Sequence, residues 1–341
     1  MVIVTGGTGY IGSHTVVELI EAGKSVVVLD DLSNSRIEVL DAIEEITGVR
    51  PVFHQVDLTD DVALKNAFDQ VGSAAESVVH FAAKKAVGES VENPLLYYRN
   101  NLLSLMNLLS EMERFNINKL VFSSSCTVYG QPDIIPVTEQ TERKHAESPY
   151  GNTKSIAEDI LSDMAKASGL NAISLRYFNP IGAHESARIG ELPVGMPNNL
   201  VPYVTQTAAG IREELSIHGN DYPTADGTCI RDYIHVVDLA KAHLKALGRL
   251  NDTKSQVGVH EFFNVGTGRG SSVLEVINTF VQATGIEVSY RIGPRREGDI
   301  TEIFAETTLA ERELNWKAEL SLEDGLRSSW NWEKNYRNLK A

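Results

Sequence analysis

"VIVTGGTGYIGSHTVVELIEAG", residues 2 to 23, opens the chain with a β-branched run, a glycine-rich turn and an apolar-periodic segment. Residues 2 to 6 read as a strand, and residues 12 to 22 carry apolar positions at three- and four-residue intervals, as one face of a helix does. Gly6, Gly9 and Gly12 fall between strand and helix. At that spacing one glycine permits a tight turn, one lets a pyrophosphate approach the backbone, and one lets helix and strand pack closely. The helix start then offers unpaired N–H groups and a partial positive charge to phosphate. A glycine loop alone is also compatible with a simple tight turn; the position of this one favours a dinucleotide. The next strand ends in Asp30, eighteen residues past Gly12. A carboxylate there accepts hydrogen bonds from the adenosine ribose and repels a 2′-phosphate, favouring NAD over NADP. Arg36, in the following loop, reads as a solvated side chain. "AGKS" (22 to 25) has the ending of a P-loop, but Glu18 stands where that motif needs its first glycine, which excludes a Walker-type site.

Outward from this stretch, strand and helix patterns alternate. "SVVVLD" (25 to 30), "PVFHQVDL" (51 to 58), "SVVHFAA" (77 to 83), "KLVFSSS" (119 to 125) and "AISLRYFN" (172 to 179) read as strands, with helical periodicity over 60 to 71, 100 to 115 and 150 to 168. The fold class expected is α/β: a Rossmann-type, doubly wound parallel sheet covered on both faces. From about residue 180 prolines and glycines break the chain into shorter elements, which marks a smaller α/β C-terminal unit. "RDYIHVVDLAKAHLKAL" (231 to 247) predicts a short strand and an amphipathic helix, and "HEFFNVG" (260 to 266) a further strand. The expected division is 1 to 179 with about 233 to 263 for the cofactor domain, and 180 to 232 with 264 to 341 for the substrate domain.

The 341 residues carry a formal net charge of -15, which argues against nucleic acid as partner, since phosphate-backbone binding needs a basic surface. The N-terminus lacks the pattern of a signal peptide, and no apolar run approaches the ~20 residues a membrane helix needs. Cys126 and Cys229 lie far apart and read as free thiols in a reducing cytoplasm. The nine histidines form no HExxH or His/Cys pattern, so no metal is expected.

A serine run at a predicted strand end, "FSSSCTVYG", precedes "SPYGNTK", which sets Tyr150 four residues ahead of Lys154. In a doubly wound sheet, ligands bind off the carboxyl ends of the strands, where Ser125 falls. Tyr150 and Lys154 share a helix face. The spacing alone carries nothing, because Tyr336 and Lys340 repeat it without serine run or glycine loop. Lowering a tyrosine pKa from ~10 to ~7 takes about 4 kcal/mol. A cation ~4 Å away at an effective dielectric of ~20 supplies about that much, and desolvation opposes it. An oxidised nicotinamide is a second positive charge that would help.

The combination of "TGGTGYIG", "SSSCTVYG" and "YGNTK" resembles the extended short-chain dehydrogenase/reductase family. With "FAAKKAVGES", "YYRNN", "LRYFNPIGAH", "PNNLVPY", "GNDYPTADGTCIRDYIHV" and "PRREGD", in that order over nearly the whole chain, it is similar to the UDP-glucose 4-epimerases of that family. The resemblance implies a tightly bound NAD and reversible inversion at C4 of a UDP-sugar through a 4-keto sugar. Tyr150 is then the base, Lys154 tunes it, and Ser125 bonds the reacting oxygen. Carried over position by position, Tyr10, Ile11, Asp30, Asn34, Ser35, Asp57, Leu58, Phe81, Ala82, Lys85, Asn100 and Phe178 join the three glycines as cofactor contacts. Asn179, Asn199, Leu200, Arg231 and Arg296 meet the UDP-sugar, the arginines facing its diphosphate. The resemblance also implies a homodimer packed through helices around 90 to 115 and 150 to 168.

Ala83 and Lys84 stand where many relatives read "GL", and Lys84 adds a charge with no evident task. At Ile303 the family has a residue that gates the pocket, tyrosine restricting it to plain hexoses and a small residue admitting N-acetylated ones. Isoleucine lies between, so UDP-glucose and UDP-galactose are the expected pair, with some tolerance for UDP-N-acetylhexosamines. A nucleotide-sugar 4,6-dehydratase is the nearest rival; in that group an Asp-Glu pair follows the strand-end Ser or Thr, and here Cys126 and Thr127 follow Ser125. A non-catalytic NAD-binding sensor is the rival of another class.

Overall fold

The computed structural model describes residues 1–252, 258–296 and 299–339. Seven parallel strands form the central sheet: β1 (Val2–Thr5), β2 (Val26–Asp30), β3 (Val52–Gln55), β4 (Ser77–His80), β5 (Lys119–Ser125), β6 (Asn171–Tyr177) and, after three strands placed elsewhere, β10 (His260–Val265). The order is β10-β6-β5-β4-β1-β2-β3. Most of these strands are buried along their whole length, as apolar runs covered on both faces should be. Helices α1 (Tyr10–Glu21) and α2 (Val39–Thr47) cover one face. On the other lie α3 (Asp61–Val71), the short α4 (Val87–Glu92), α5 (Pro94–Arg114) and α6 (Pro149–Ser168).

Several predicted strands end early. The runs 51 to 58 and 77 to 83 become Val52–Gln55 and Ser77–His80, because at their carboxyl ends the chain leaves the sheet to line the crevice. The run 172 to 179 splits: β6 stops at Tyr177, and β7 (Asn179–Ile181) belongs to a second sheet. That smaller unit holds α7 (Leu200–Ala208), β8 (Leu215–His218) and β9 (Ile230–His235), which pairs with β7. α8 (Val236–Asp252) then returns to pack on α1, ahead of β10. Last come β11 (Gly270–Ser272), α9 (Val273–Thr284), β12 (Tyr290–Gly293), β13 (Glu302–Ile303), α10 (Thr308–Leu314) and α11 (Leu322–Tyr336). Ala310, Leu314 and Trp316 join the core of the first unit, and the Trp316 indole donates to the Asp238 carbonyl of α8. Val201, Val204, Ile277, Phe280 and Leu326 fill the second core.

Among the described residues no helix is long and apolar enough to cross a membrane, and no cluster of three or more His, Cys, Asp or Glu could hold a metal ion. Both cysteines are free and buried.

Candidate active site

The strand order reverses between β1 and β4, and there the loops that follow them touch. A Cβ added to Gly6, whose φ is +68°, would lie 2.8 Å from the Ala82 backbone nitrogen; one added to Gly12 would lie 2.1 Å from the Gly6 carbonyl oxygen. Gly6 and Gly12 thus answer the turn and close-packing tasks expected of them. Gly9 caps α1 without a side-chain hydrogen bond, which leaves the first helical N–H groups for a ligand. Asp30, at the tip of β2, accepts from the Thr8 N–H at 3.1 Å, the Leu32 N–H at 2.9 Å and the Ser35 hydroxyl at 3.1 Å. Its carboxylate is therefore fixed beside the glycine turn, and Arg36 is exposed. This cradle fits an adenosine ribose and a pyrophosphate.

The other predicted cofactor residues lie on α1 and α5 and in the segments after β2, β3, β4 and β6, and three of them have partners of their own. Asp57 does not cap α3: it accepts from the Thr59 N–H and hydroxyl, while Asp60 supplies the cap to the Ala63 N–H at 2.9 Å. Phe81 is partly core, its ring 4.7 Å from that of His243. Lys85 pairs with Glu191 at 3.6 Å and lies 5.9 Å over the Tyr10 ring. Leu58 and Phe178 are buried, Ile11 packs on the core, and Asn34 is exposed.

At the end of β5, the Ser125 hydroxyl accepts from the Thr127 N–H. Ser148 caps α6, accepting from the Gly151 N–H, and Pro149 occupies the first turn, so "SPYGNTK" starts a helix at the expected place. Lys154 is buried; its Nζ donates to the Ser123 carbonyl at 2.6 Å, 4.8 Å over the Phe122 ring and 5.9 Å from the Tyr150 ring centroid. The electrostatics differ from the simple expectation. Desolvation pushes the Tyr150 phenol up to about 12, against a smaller downward pull from the Ser125 hydroxyl. Desolvation likewise brings the Lys154 ammonium down to about 7, opposed by Glu158. For each group the loss of water outweighs the neighbours that favour its charged form.

On the other wall, Arg231 and Arg296 converge on Asp299: Arg296 Nη2 donates to Oδ1 at 2.6 Å and Arg231 Nη2 lies 3.7 Å from the same oxygen. Glu297 and Gly298 of "PRREGD" lie outside the described residues, as does Lys340. Asn179 opens β7, and Asn199 and Leu200 open α7. Ile303, 2% exposed, lies opposite Arg231 in the β13–β9 register and packs in a cluster with Cys126 and Phe178, beside Ser125.

Two contributors escaped the sequence reading. Asn101, next to the predicted Asn100, accepts from the Lys84 N–H at 2.8 Å and donates to the Lys84 carbonyl and the Thr153 hydroxyl, tying the loop after β4 to α6. Position 84 is thus held through its backbone. Two consecutive asparagines inside a helix, where Asn is a poor former, were the available signal. Glu158, wholly buried, accepts from Arg176 Nε and Nη2 at 2.9 and 2.8 Å and from the Ser124 hydroxyl at 2.6 Å, fastening α6 to the strand ends. Its place four residues after Lys154 was the signal there.

A parallel sheet with a glycine cradle, a strand-end serine and a helix-borne Tyr and Lys defines a short-chain dehydrogenase/reductase of the extended kind. A family model described as GDP-mannose 4,6 dehydratase matches residues 3–329. Full-length similarity points elsewhere within that class. The chain is 50% identical over 339 residues to a UDP-glucose 4-epimerase of Bacillus subtilis (strain 168), covering 99% of this chain and 98% of that one. A UDP-glucose 4-epimerase structure from Stenotrophomonas maltophila, with bound NAD and formylated UDP-arabinopyranose, superposes with a TM-score of 0.94 at 48% identity, covering 99% of each chain. One from Bifidobacterium longum, in complex with NAD+ and UDP, does so with a TM-score of 0.94 at 44% identity and the same coverage. The chain belongs to the UDP-glucose 4-epimerase family.

Proposed function

We propose that this protein interconverts UDP-glucose and UDP-galactose at C4, using an NAD that stays bound through the cycle. The observation that supports the reading is Ser125 at the end of β5 with Tyr150 and Lys154 on the opening turns of α6, Lys154 bonded to the Ser123 carbonyl. NAD, when bound, supplies the hydride acceptor and donor and, while oxidised, a positive charge. Tyr150 takes the proton of the sugar 4-hydroxyl and, once the 4-keto sugar has turned over to present the opposite face of C4, gives it back to the same oxygen. Ser125 holds the reacting oxygen, and Lys154, anchored on Ser123, keeps a cation near the phenol. Gly6, Gly9, Gly12 and α1 hold the pyrophosphate, and Asp30 the adenosine ribose. Arg231 and Arg296 take the UDP diphosphate, with Asn179, Asn199 and Leu200 around the remainder. A 4,6-dehydratase is disfavoured because Cys126 and Thr127 occupy the places of its acid and base.

The proposed division is a cofactor domain of 1 to 179 with about 233 to 263 and a UDP-sugar domain of the rest, except that Asn179 opens β7 of the second sheet and α10 with Trp316 packs on the cofactor domain's core. A homodimer is supported by α5, which exposes Leu95, Leu96, Leu103 and Met106; a light-scattering mass of two chains is expected, and a mass of one refutes it. Two free, buried thiols suit a cytoplasmic setting.

The purified protein, given UDP-galactose in heavy water without added cofactor, should form UDP-glucose with no deuterium at C4, because that hydrogen leaves and returns inside the site. Deuterium at C4 overturns the mechanism, and absence of conversion overturns the function.

A further inference from the structure

Residues 183 to 191 fold back on themselves, with an antiparallel bridge between Ala183 and Gly190. Trp332 of α11 fixes the far end: its indole donates to the Glu191 carbonyl at 3.1 Å, and a Cβ on Gly190 would fall 2.5 Å from the ring. From this anchored backbone the Glu191 side chain, 13% exposed, reaches two different elements. Its Oε1 accepts from Asn199 Nδ2 at 2.6 Å, at the start of α7, and lies 3.6 Å from Lys85 Nζ on the loop after β4. That loop is packed near the glycine turn, where the Tyr10 hydroxyl donates to the Gly182 carbonyl at 2.6 Å. One carboxylate oxygen therefore serves a residue of each half of the crevice. That bond orients the Asn199 amide and leaves its carbonyl oxygen and second N–H for a ligand. Burial pushes the Glu191 carboxyl up, and Lys85 and Asn199 oppose that rise.

We propose that Glu191 is a positioning residue that couples the two halves of the site, ordering Lys85 and Asn199 together so that a bound UDP group slows release of the dinucleotide. The proposal rests on the functional reading above, which sets Lys85 toward NAD and Asn199 toward the UDP-sugar. An ion pair with a half-exposed lysine is weak alone. The coupling comes from order: a ligand that fixes Asn199 fixes Glu191, and the freedom Lys85 must lose to hold the cofactor is then already reduced.

The test measures the rate of NAD loss from the purified holoprotein into an NAD-consuming trap, with and without UDP. In the native protein UDP should slow the loss by about fivefold or more, the usual range of coupling between sites. Glu191→Ala removes both contacts, so the UDP effect should fall below about twofold and UDP should bind more weakly. Glu191→Gln preserves size and fold, keeps an acceptor for Asn199 and loses the charge facing Lys85. It should hold UDP nearly as the native protein does but lose NAD faster. Equal slowing by UDP in native protein and Glu191→Ala, or native rates throughout in Glu191→Gln, overturns the proposal. A native protein that carries no NAD and converts no UDP-galactose overturns instead the functional reading beneath it.

Discussion

Tyr150 sits where two opposing demands meet. The crevice must exclude water to protect the chemistry, yet burial holds the phenol at about 12, well above neutrality. Lys154 shares the conflict, its ammonium brought down to about 7. Their sequence spacing showed that they share a helix face, but not that Lys154 would bond the Ser123 carbonyl and stand 5.9 Å from the ring; spacing fixes a direction, and tertiary packing fixes a distance. At Ile303 the sequence named the position, and the fold supplies its surroundings, a buried apolar cluster with Cys126 and Phe178. On the proposed reading, a tyrosine there would extend out of that cluster into the sugar pocket. Native protein should turn over UDP-N-acetylgalactosamine slowly, and Ile303→Tyr should abolish this while leaving UDP-galactose turnover within about threefold, under 1 kcal/mol of barrier. No N-acetylated turnover by native protein at high enzyme concentration contradicts the tolerance.

Among the elements, β1, the glycine turn and α1 were the most legible, because each glycine answers a local steric need. Gly12→Ala places a methyl group 2.1 Å from the Gly6 carbonyl oxygen. Neither backbone segment can yield without moving β1 or α1, so the cost should be about 3 kcal/mol or more, the upper range for overpacking. Thermal melting and the NAD content of the purified protein both check this, and native values for both contradict it. The alternation of strands and helices was equally readable. The break at Phe178, where the chain passes from β6 in one sheet to β7 in another, was not, since an apolar strand pattern runs unbroken through it and only long-range pairing with β9 ends the first strand. Asn101 and Glu158 were missed for a similar reason: their partners, Lys84 and Arg176, lie on other elements.

For the whole molecule, burial leaves an acid-sensitive fold. His14, His80 and His260 are brought to about 3, and His235 and His243 to about 4, chiefly by desolvation. Above about 6.5 these groups are neutral in folded and unfolded chains alike, and their burial costs no charge. As pH falls below that value the unfolded chain binds protons that the folded one refuses, so stability is lost progressively toward pH 4. Each histidine accounts for about 2 kcal/mol at pH 5. The Tm should therefore drop steadily between pH 7 and 5, and a flat Tm over that range contradicts the burial. The two units are joined by Tyr10–Gly182 and Lys85–Glu191, so the proposed cofactor cradle and substrate unit meet at one site. The most direct test of that site is the kcat of Tyr150→Phe on UDP-galactose, with bound NAD quantified in the same sample. The phenyl ring keeps the packing and removes only the proton-carrying oxygen, so kcat should fall roughly 100- to 10,000-fold with NAD content unchanged. A Tyr150→Phe protein that retains native kcat contradicts the account.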